Sequence, residues 1–166
     1  MKKYGIFYGS STGTCEAVAK KIATALGVAP EDVHDVAKSK PSDVADYEVL
    51  VLGTSTWGSG ELQEDWYDFA DGLASLYLAD KKIALFGCGD ETMSDTFCGG
   101  VGQLYHRLKD TKATFIGEFP ADVYDYSATE ADVDGTIVGL LLDEVNKPEL
   151  TSDRIYRWAD EVRSKS

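Results

Sequence analysis

Short apolar runs that suit β-strands alternate along the chain with segments of helical periodicity. We predict strands at 4–8, 33–36, 48–52, 82–86 and 113–116. These runs are apolar almost throughout, which is typical of parallel strands buried between two layers of helices. Because crossovers between parallel strands are right-handed, the alternation predicts an α/β fold with a doubly wound parallel sheet. Ligands bind such sheets beyond the carboxyl ends of the strands, so the loops after strands one, three and four form the candidate site.

The segments between the strands place their apolar residues on one helical face. In the first segment Val18, Ile22 and Leu26 share a face, and Gly27 is predicted to end the helix. In the last segment Thr151 is the predicted N-terminal cap. We expect the aromatic residues of these stripes to belong to the core. The remaining stripes are Leu62, Trp66, Phe69 and Leu73; Val101, Leu104, Tyr105 and Leu108; and Ile155, Trp158, Ala159 and Val162.

The alternation breaks after the fifth strand. Residues 117–136 are rich in acidic and aromatic side chains and show no clear periodicity, and a short apolar run at 137–142 follows them. A stretch of this length without periodicity is uncommon inside a compact domain. We therefore predict that 117–136 is an insertion at the edge strand of the sheet.

The loop after the first strand consists of small and hydroxyl residues, and a helical segment follows it at once. Backbone N–H groups, hydroxyls and the positive end of that helix can together surround one phosphate. The loop has neither the G-x-x-x-x-G-K-[ST] nor the G-x-G-x-x-G pattern, so a single terminal phosphate, as on a mononucleotide, is the ligand that remains. An ordinary β–α turn rich in serine and threonine is the alternative. The phosphate-loop residues are Ser10, Ser11, Thr12, Gly13, Thr14 and Cys15, with no lysine or arginine among them.

Composition limits the classes of partner. The 166 residues fit one domain, 1–166, with a substantial core. A formal net charge of −13 argues against nucleic acid and against anionic membrane surfaces. The same charge favours a basic protein partner, or simply high solubility.

The three cysteines, Cys15, Cys88 and Cys98, have no C-x-x-C spacing. We interpret them as free thiols, which places the protein in a reducing cytoplasm.

The apolar run after the N-terminal Met-Lys-Lys is too short for a signal peptide, and no stretch of the sequence approaches a membrane span. We expect His34 and His106 to face solvent and assign them no chemistry.

The other two candidate loops are also unusual. The loop after strand three, 53–62, places Trp57 between hydroxyl residues and glycines, which exposes a large flat surface where a ligand would lie. The alternative is that Trp57 caps the core. The loop after strand four, 86–98, has glycines and small residues that permit a close approach of the backbone to a planar ring.

These three loops, in this order and at these spacings, resemble those of a flavodoxin. The resemblance covers essentially the whole chain, from the phosphate loop through Thr56-Trp57-Gly58-Ser59-Gly60 and Gly87-Cys88-Gly89-Asp90 to the C-terminal 142–158 region. The stretch 117–136 resembles the extra loop of the long-chain type of flavodoxin. The resemblance implies a flavodoxin-like three-layer fold, with a five-stranded sheet in the order 2-1-3-4-5.

The resemblance further implies that the chain binds FMN without a covalent bond and carries single electrons, with no catalytic residues and no metal. The FMN phosphate would lie on the phosphate-loop residues, and the ring between the second and third loops. The implied ring contacts are Ser55, Thr56, Trp57, Gly58, Ser59, Gly60, Cys88, Gly89, Asp90, Met93, Asp95, Phe97 and Cys98.

Two departures from the family pattern affect these implied contacts. Cys15 stands where flavodoxins usually have threonine or serine, and a thiol is a poor hydrogen-bond donor. Met93 stands where they usually have a tyrosine on the outer face of the ring. A thioether contributes about 0.3–1.5 kcal/mol against an aromatic ring, but it does not stack as a phenol does. We therefore expect weaker FMN binding than in a relative with tyrosine at this position.

The resemblance implies basic redox partners, such as a ferredoxin/flavodoxin–NADP reductase and low-potential acceptors, and a monomeric protein. The alternative on the same fold is an FMN-dependent quinone reductase or a similar flavin enzyme, for which the loops offer no catalytic histidine or tyrosine. A phosphoacceptor signalling domain would need acidic residues after strands one and three, where this chain has glycine, serine and threonine. A flavin module of a multidomain reductase is a third alternative, although the chain's ends suggest a free-standing protein.

Overall fold

The computed structural model describes residues 2–9, 14–57, 61–62, 66–76, 78–88, 99–117, 119–120, 132–133, 136–137, 139–142 and 151–165. Within these residues strands and helices alternate as predicted. The first half contains β1 (Lys2–Gly9), α1 (Thr14–Leu26), β2 (Val33–Asp35), β3 (Tyr47–Trp57), β4 (Glu61–Leu62) and α2 (Trp66–Ala74). The second half contains β5 (Lys82–Cys88), α3 (Gly99–Leu108), β6 (Thr114–Ile116), β7 (Phe119–Pro120), β8 (Asp132–Val133), β9 (Thr136–Ile137), β10 (Gly139–Leu142) and α4 (Thr151–Lys165).

The main sheet has the predicted strand order. Strand β1 lies between β2 and β3, and β5 lies on the other side of β3, with all of these pairs parallel. The next position is occupied by both β6 and β10, each of which pairs in parallel with β5. Counted by position, the order is therefore 2-1-3-4-5, and the prediction from sequence is confirmed.

Two strand segments share the fifth position. Strand β6 pairs with the amino-terminal half of β5, and β10 pairs with its carboxyl-terminal half. Between them in sequence, β7, β9 and β8 form a separate three-stranded antiparallel sheet. Most of 118–138 lies outside the described residues, so the boundaries of the insertion at 117–136 stay a prediction.

Successive side chains of each strand pack on opposite faces of the sheet and build two cores. On one face Leu50 and Leu52 pack with residues of α2 and α3; on the other, Val49 and Val51 pack with residues of α1 and α4. Burial of each large apolar side chain contributes about 1.5–3 kcal/mol relative to its exposure. Trp66 and Trp158 are fully buried, one in each core, which confirms the core assignment of these aromatics.

Helix α1 ends at the predicted glycine. Gly27 has a φ of +73°, which L side chains rarely adopt. The N–H of Val28 donates to the Ala23 carbonyl over 2.8 Å, and the N–H of Gly27 to the Thr24 carbonyl over 3.4 Å. This is the Schellman arrangement, in which the last carbonyls of a helix find donors just beyond its end.

The expectation that His34 faces solvent is wrong. Its ring is half-buried and stacks on Phe7 with ring centroids 4.8 Å apart, and its Nε2 lies 2.8 Å from the Tyr47 hydroxyl. Tyr47 donates its own hydroxyl proton to Asp32 over 2.9 Å, so His34 Nε2 is the donor to the Tyr47 oxygen. Burial, followed by the hydrogen bond to Asp32, raises the pKa of Tyr47 well above its usual value. His106, by contrast, is exposed as expected.

Candidate functional site

The candidate site lies where the carboxyl ends of three neighbouring strands meet. Gly9 at the end of β1 is paired with Thr54 of β3, and Thr54 is in turn paired with Gly87 of β5. One step further, Ser55 is paired with Cys88. Because the strands are parallel and in this register, the segments that follow them all leave from the same edge of the sheet.

The phosphate loop joins the end of β1 to the start of α1. Strand β1 ends at Gly9 and α1 begins at Thr14, so the amino end of a thirteen-residue helix follows the loop directly. Thr14 and Cys15 form the start of that helix, and the contact of their side chains with a phosphate stays a prediction. Ser10, Ser11, Thr12 and Gly13 lie outside the described residues, and their contact with a phosphate stays a prediction.

The second candidate segment, predicted as a loop at 53–62, contains more β-strand than the sequence indicated. We expected a loop from 53 onward, but β3 continues through Ser55 and Thr56 to Trp57. Strand β4 folds back on it in an antiparallel hairpin, with Thr56 paired with Leu62 and Trp57 paired with Glu61. β-branched and aromatic residues favour strands, and this pairing occupies their backbone groups. Leu62 therefore belongs to a strand and not, as predicted, to the α2 stripe.

The hairpin pairing leaves three residues between Trp57 and Glu61. These are Gly58, Ser59 and Gly60, which lie outside the described residues.

A buried hydrogen bond closes the base of this hairpin. Trp66, the first residue of α2, donates its indole N–H to the carbonyl oxygen of Gly53 over 2.6 Å. The sequence placed Trp66 in the core but did not predict this bond. A buried tryptophan usually finds a partner for its N–H, so the signal was present, but the identity of the acceptor depends on the tertiary structure.

The third candidate segment begins two residues later than predicted, because the strand before it does not end at Phe86. Strand β5 ends at Cys88, so this residue lies on a strand and not in a loop, and α3 begins at Gly99. Gly87 brings α3 close to the sheet, because a Cβ at this position would overlap a methyl group of Val101. The remaining predicted contacts of this segment, Gly89, Asp90, Met93, Asp95, Phe97 and Cys98, lie outside the described residues.

Two cations are buried among the described residues, and one of them, Arg154, lies in the first turn of α4. The buried Lys81 lies at the other edge of the sheet, where its amino group donates to the carbonyl oxygens of Tyr47 and Ala45 over 2.6 and 3.3 Å. Lys2 of β1 is paired with Tyr47, which marks that edge as the amino end of the strands. No helix within the described part of the chain is both long and apolar enough to cross a membrane.

The sequence and the fold both match known proteins. The family model described as Flavodoxin matches residues 6–158. The chain is 39% identical over 160 residues to a flavodoxin of Haemophilus influenzae, which covers 95% of this chain and 92% of that protein. It is 41% identical over 160 residues to flavodoxin 1 of Escherichia coli K12, which covers 95% of this chain and 91% of that protein.

The same holds among solved structures. A flavodoxin of Fusobacterium nucleatum bound to flavin mononucleotide superposes with a TM-score of 0.89 at 30% identity, over 99% of both chains. An oxidised flavodoxin 2 of Bacillus cereus superposes with a TM-score of 0.73 at 25% identity, over 99% of both chains. With a family model that spans most of its length and relatives near 40% identity, this chain belongs to the flavodoxin family.

Proposed function

We propose that the protein binds FMN non-covalently and carries single electrons between a reductase and low-potential acceptor proteins. The proposal depends on the register of β1, β3 and β5. Because of this register, the three segments proposed to bind the ligand begin at one edge of the sheet. The helix α1 begins at the same edge. A crevice at the carboxyl ends of parallel strands is where doubly wound folds bind their ligands.

The residues present fit the phosphate of FMN. The segment Ser10–Cys15 supplies hydroxyls and backbone N–H groups, and the amino end of α1 adds about half a positive elementary charge. These donors need no lysine, and the segment has none. Ser10, Ser11, Thr12 and Thr14 hold the phosphate through their side chains, while Cys15 contributes mainly its backbone.

The second and third segments hold the ring. Trp57 lies against one face, where aromatic contact contributes about 0.5–1.5 kcal/mol beyond buried area and excludes water. The Gly58-Ser59 peptide would supply a backbone carbonyl to the ring, and glycine allows that peptide to rotate at little steric cost. Met93 covers the outer face. The other ring contacts are Ser55, Thr56, Gly60, Cys88, Gly89, Asp90, Asp95, Phe97 and Cys98.

FMN supplies the one-electron chemistry when bound, and the charge of the chain tunes it. Glu61, Asp90 and Asp95 are close in sequence to the proposed ring contacts, and the net charge of the whole chain is −13. Negative charge disfavours an additional negative charge on the cofactor. Each tenfold difference in affinity between redox states shifts a one-electron potential by about 59 mV. Several modest penalties of this kind therefore make a low-potential donor.

The negative net charge of the chain also favours partner proteins with basic surfaces. We infer that the protein is a monomer that docks through acidic surface on basic redox proteins, such as a ferredoxin/flavodoxin–NADP reductase, in the cytoplasm. Charge complementarity raises association rates and loses its effect as salt is added.

We also assign the chain to the long-chain type of flavodoxin. Support comes from the three-stranded sheet of β7, β9 and β8, which lies in sequence between the two halves of the fifth strand.

Stepwise anaerobic reduction of the purified protein, followed by visible spectroscopy, tests the proposal. The protein is expected to be yellow and to pass through a blue form before it bleaches. Comparison of FMN with riboflavin, which lacks the phosphate, isolates the contribution of the phosphate loop, and FMN should bind more tightly. A colourless chain that does not bind added FMN contradicts the proposal. Steady-state NAD(P)H oxidation by the protein alone would favour the quinone reductase alternative.

A further inference from the structure

Ser55 is the last residue of β3 that pairs with the main sheet, and the chain returns to the core at Trp66. A hydrogen bond joins Trp66 to Gly53, two residues before that point. The indole N–H of Trp66 donates to the Gly53 carbonyl over 2.6 Å, and Trp66 is fully buried. Between them lies the β3–β4 hairpin, held by the pairing of Thr56 with Leu62 and of Trp57 with Glu61. The bond therefore lies at the base of the segment that carries Trp57.

The indole of Trp66 packs in the core beside other aromatic rings. Trp66 meets Phe69 edge to face, with ring centroids 5.4 Å apart and planes at 88°. Phe69 in turn packs on Phe7 of β1, with centroids 5.8 Å apart. A buried donor packed on Phe69 favours one position of its acceptor, because a buried carbonyl that loses its partner is unfavourable.

We propose that Trp66 is a positioning residue for FMN: its indole N–H holds the base of the β3–β4 hairpin, the segment that carries Trp57, in the conformation that binds the ring. The inference rests on the proposed FMN function. The physical basis is the fraction of apoprotein that has the conformation that binds FMN. An apoprotein with a looser hairpin has a smaller such fraction, and its apparent affinity for FMN falls in proportion.

The chain contains a matched control. Trp158 is also fully buried and also donates its indole N–H to a backbone carbonyl, that of Gly117, over 3.0 Å. Gly117 directly follows β6, which pairs with the amino-terminal half of β5, away from the strand ends that carry the site. Trp158→Phe therefore removes the same kind of bond from the same fold without releasing the hairpin.

The experiment compares Trp66→Phe and Trp158→Phe in the full-length protein. FMN dissociation constants are measured by fluorescence titration, the first reduction potential by redox titration, and backbone amide exchange by mass spectrometry. One lost buried hydrogen bond corresponds to roughly a fivefold change in an equilibrium constant. Trp66→Phe should therefore speed exchange in the β3–β4 hairpin and raise the FMN dissociation constant by up to about fivefold, the full factor applying where the loosened hairpin predominates in the apoprotein. Trp158→Phe should do neither, even where it lowers the thermal midpoint equally.

The reduction potential shows whether the affinity loss depends on the redox state of the cofactor. A smaller binding-competent fraction of apoprotein weakens all redox states equally and leaves the first potential unchanged. A further fivefold loss confined to the reduced cofactor would make the first potential about 40 mV more negative, since a tenfold difference corresponds to 59 mV. Should Trp66→Phe fail to fold, replacement of Trp66 by benzothienylalanine keeps the ring's shape without the N–H and decides the question. If that variant also fails to fold, Trp66 is purely structural and the inference is overturned.

The outcomes for the inference and for the proposed function are distinct. A wild-type chain that binds FMN, together with a Trp66→Phe variant that binds it equally well, overturns the inference alone. An equal loss of affinity in Trp158→Phe also overturns it, because the effect would then be one of general stability. A wild-type chain that does not bind FMN overturns the proposed function, and the inference falls with it.

Discussion

Replacement of Tyr47 by phenylalanine removes one buried hydroxyl group and leaves the ring in place. That hydroxyl donates to the Asp32 carboxylate over 2.9 Å and lies 2.8 Å from His34 Nε2. A hydrogen bond to a charged group contributes about 1.5–3 kcal/mol and a neutral one about 0.5–1.5 kcal/mol. The free energy of unfolding should therefore fall by about 2–4 kcal/mol in Tyr47→Phe at pH 7.

The difference between wild type and variant should also depend on pH, with a sign set by the raised pKa of Tyr47. The unfolded tyrosine has a pKa of about 10 and releases its proton above that pH, while the folded protein retains it. The contribution of the Tyr47 hydroxyl to the free energy of unfolding is therefore fully present below pH 10 and is lost as the pH rises further. At pH 10.5 the wild type should have lost about 0.8 kcal/mol that Tyr47→Phe does not lose.

Urea unfolding of both proteins at pH 7, 9 and 10.5 measures these differences. Tyr105→Phe is the control, since Tyr105 is a half-buried tyrosine that packs edge to face on Phe115 with centroids 4.9 Å apart. Tyr105→Phe should lower the free energy of unfolding by less than 1 kcal/mol, because within the described residues its hydroxyl has no hydrogen bond to a buried charge. Stability curves of wild type and Tyr47→Phe that stay parallel from pH 7 to 10.5 would refute the argument, as would equal losses in the two variants.

Three further predictions concern the site and the opposite edge of the sheet. Met93→Tyr should tighten FMN binding and alter both reduction potentials, and equal dissociation constants with unchanged potentials would count against the role given to Met93. Gly58→Val should make the first reduction potential more negative, because a β-branched residue hinders the rotation of the next peptide; a redox titration without a shift contradicts this. Lys81→Met should lower the free energy of unfolding by about 1–3 kcal/mol, because the buried amino group donates to two backbone carbonyls at the start of β3. In urea unfolding the exposed Lys109→Met should be neutral, and an equal loss there would reject the reasoning.

The fold was predictable because its signals are repeated along the chain. Five apolar runs separated by helical stripes leave few arrangements other than a parallel sheet between helices, and each run is confirmed within a few residues. The end of α1 was predictable for a local reason, since a glycine at the end of a helical stripe suits the left-handed conformation that Gly27 adopts.

The extent of β3 was not predictable in the same way. The run of small and hydroxyl residues after Leu52 resembles a loop, yet the strand continues to Trp57. Pairing with β4 overrides the local preference for a loop. A two-residue strand such as Glu61–Leu62 is too short to show a periodicity in the sequence. The partners of Trp66, Tyr47 and His34 were hidden for a similar reason, because residues distant in sequence supply them.

The structure separates what stabilises the fold from what is proposed to bind the cofactor. The two cores lie on the faces of the sheet, and the buried amino group of Lys81 lies at its amino-terminal edge. The site segments at the other edge consist largely of glycine and short hydroxyl residues, which add little apolar area to a core. Substitutions in these segments should therefore change cofactor affinity more than stability. Trp66 is the exception, because it belongs to the core and also closes the hairpin, so its replacement should affect both.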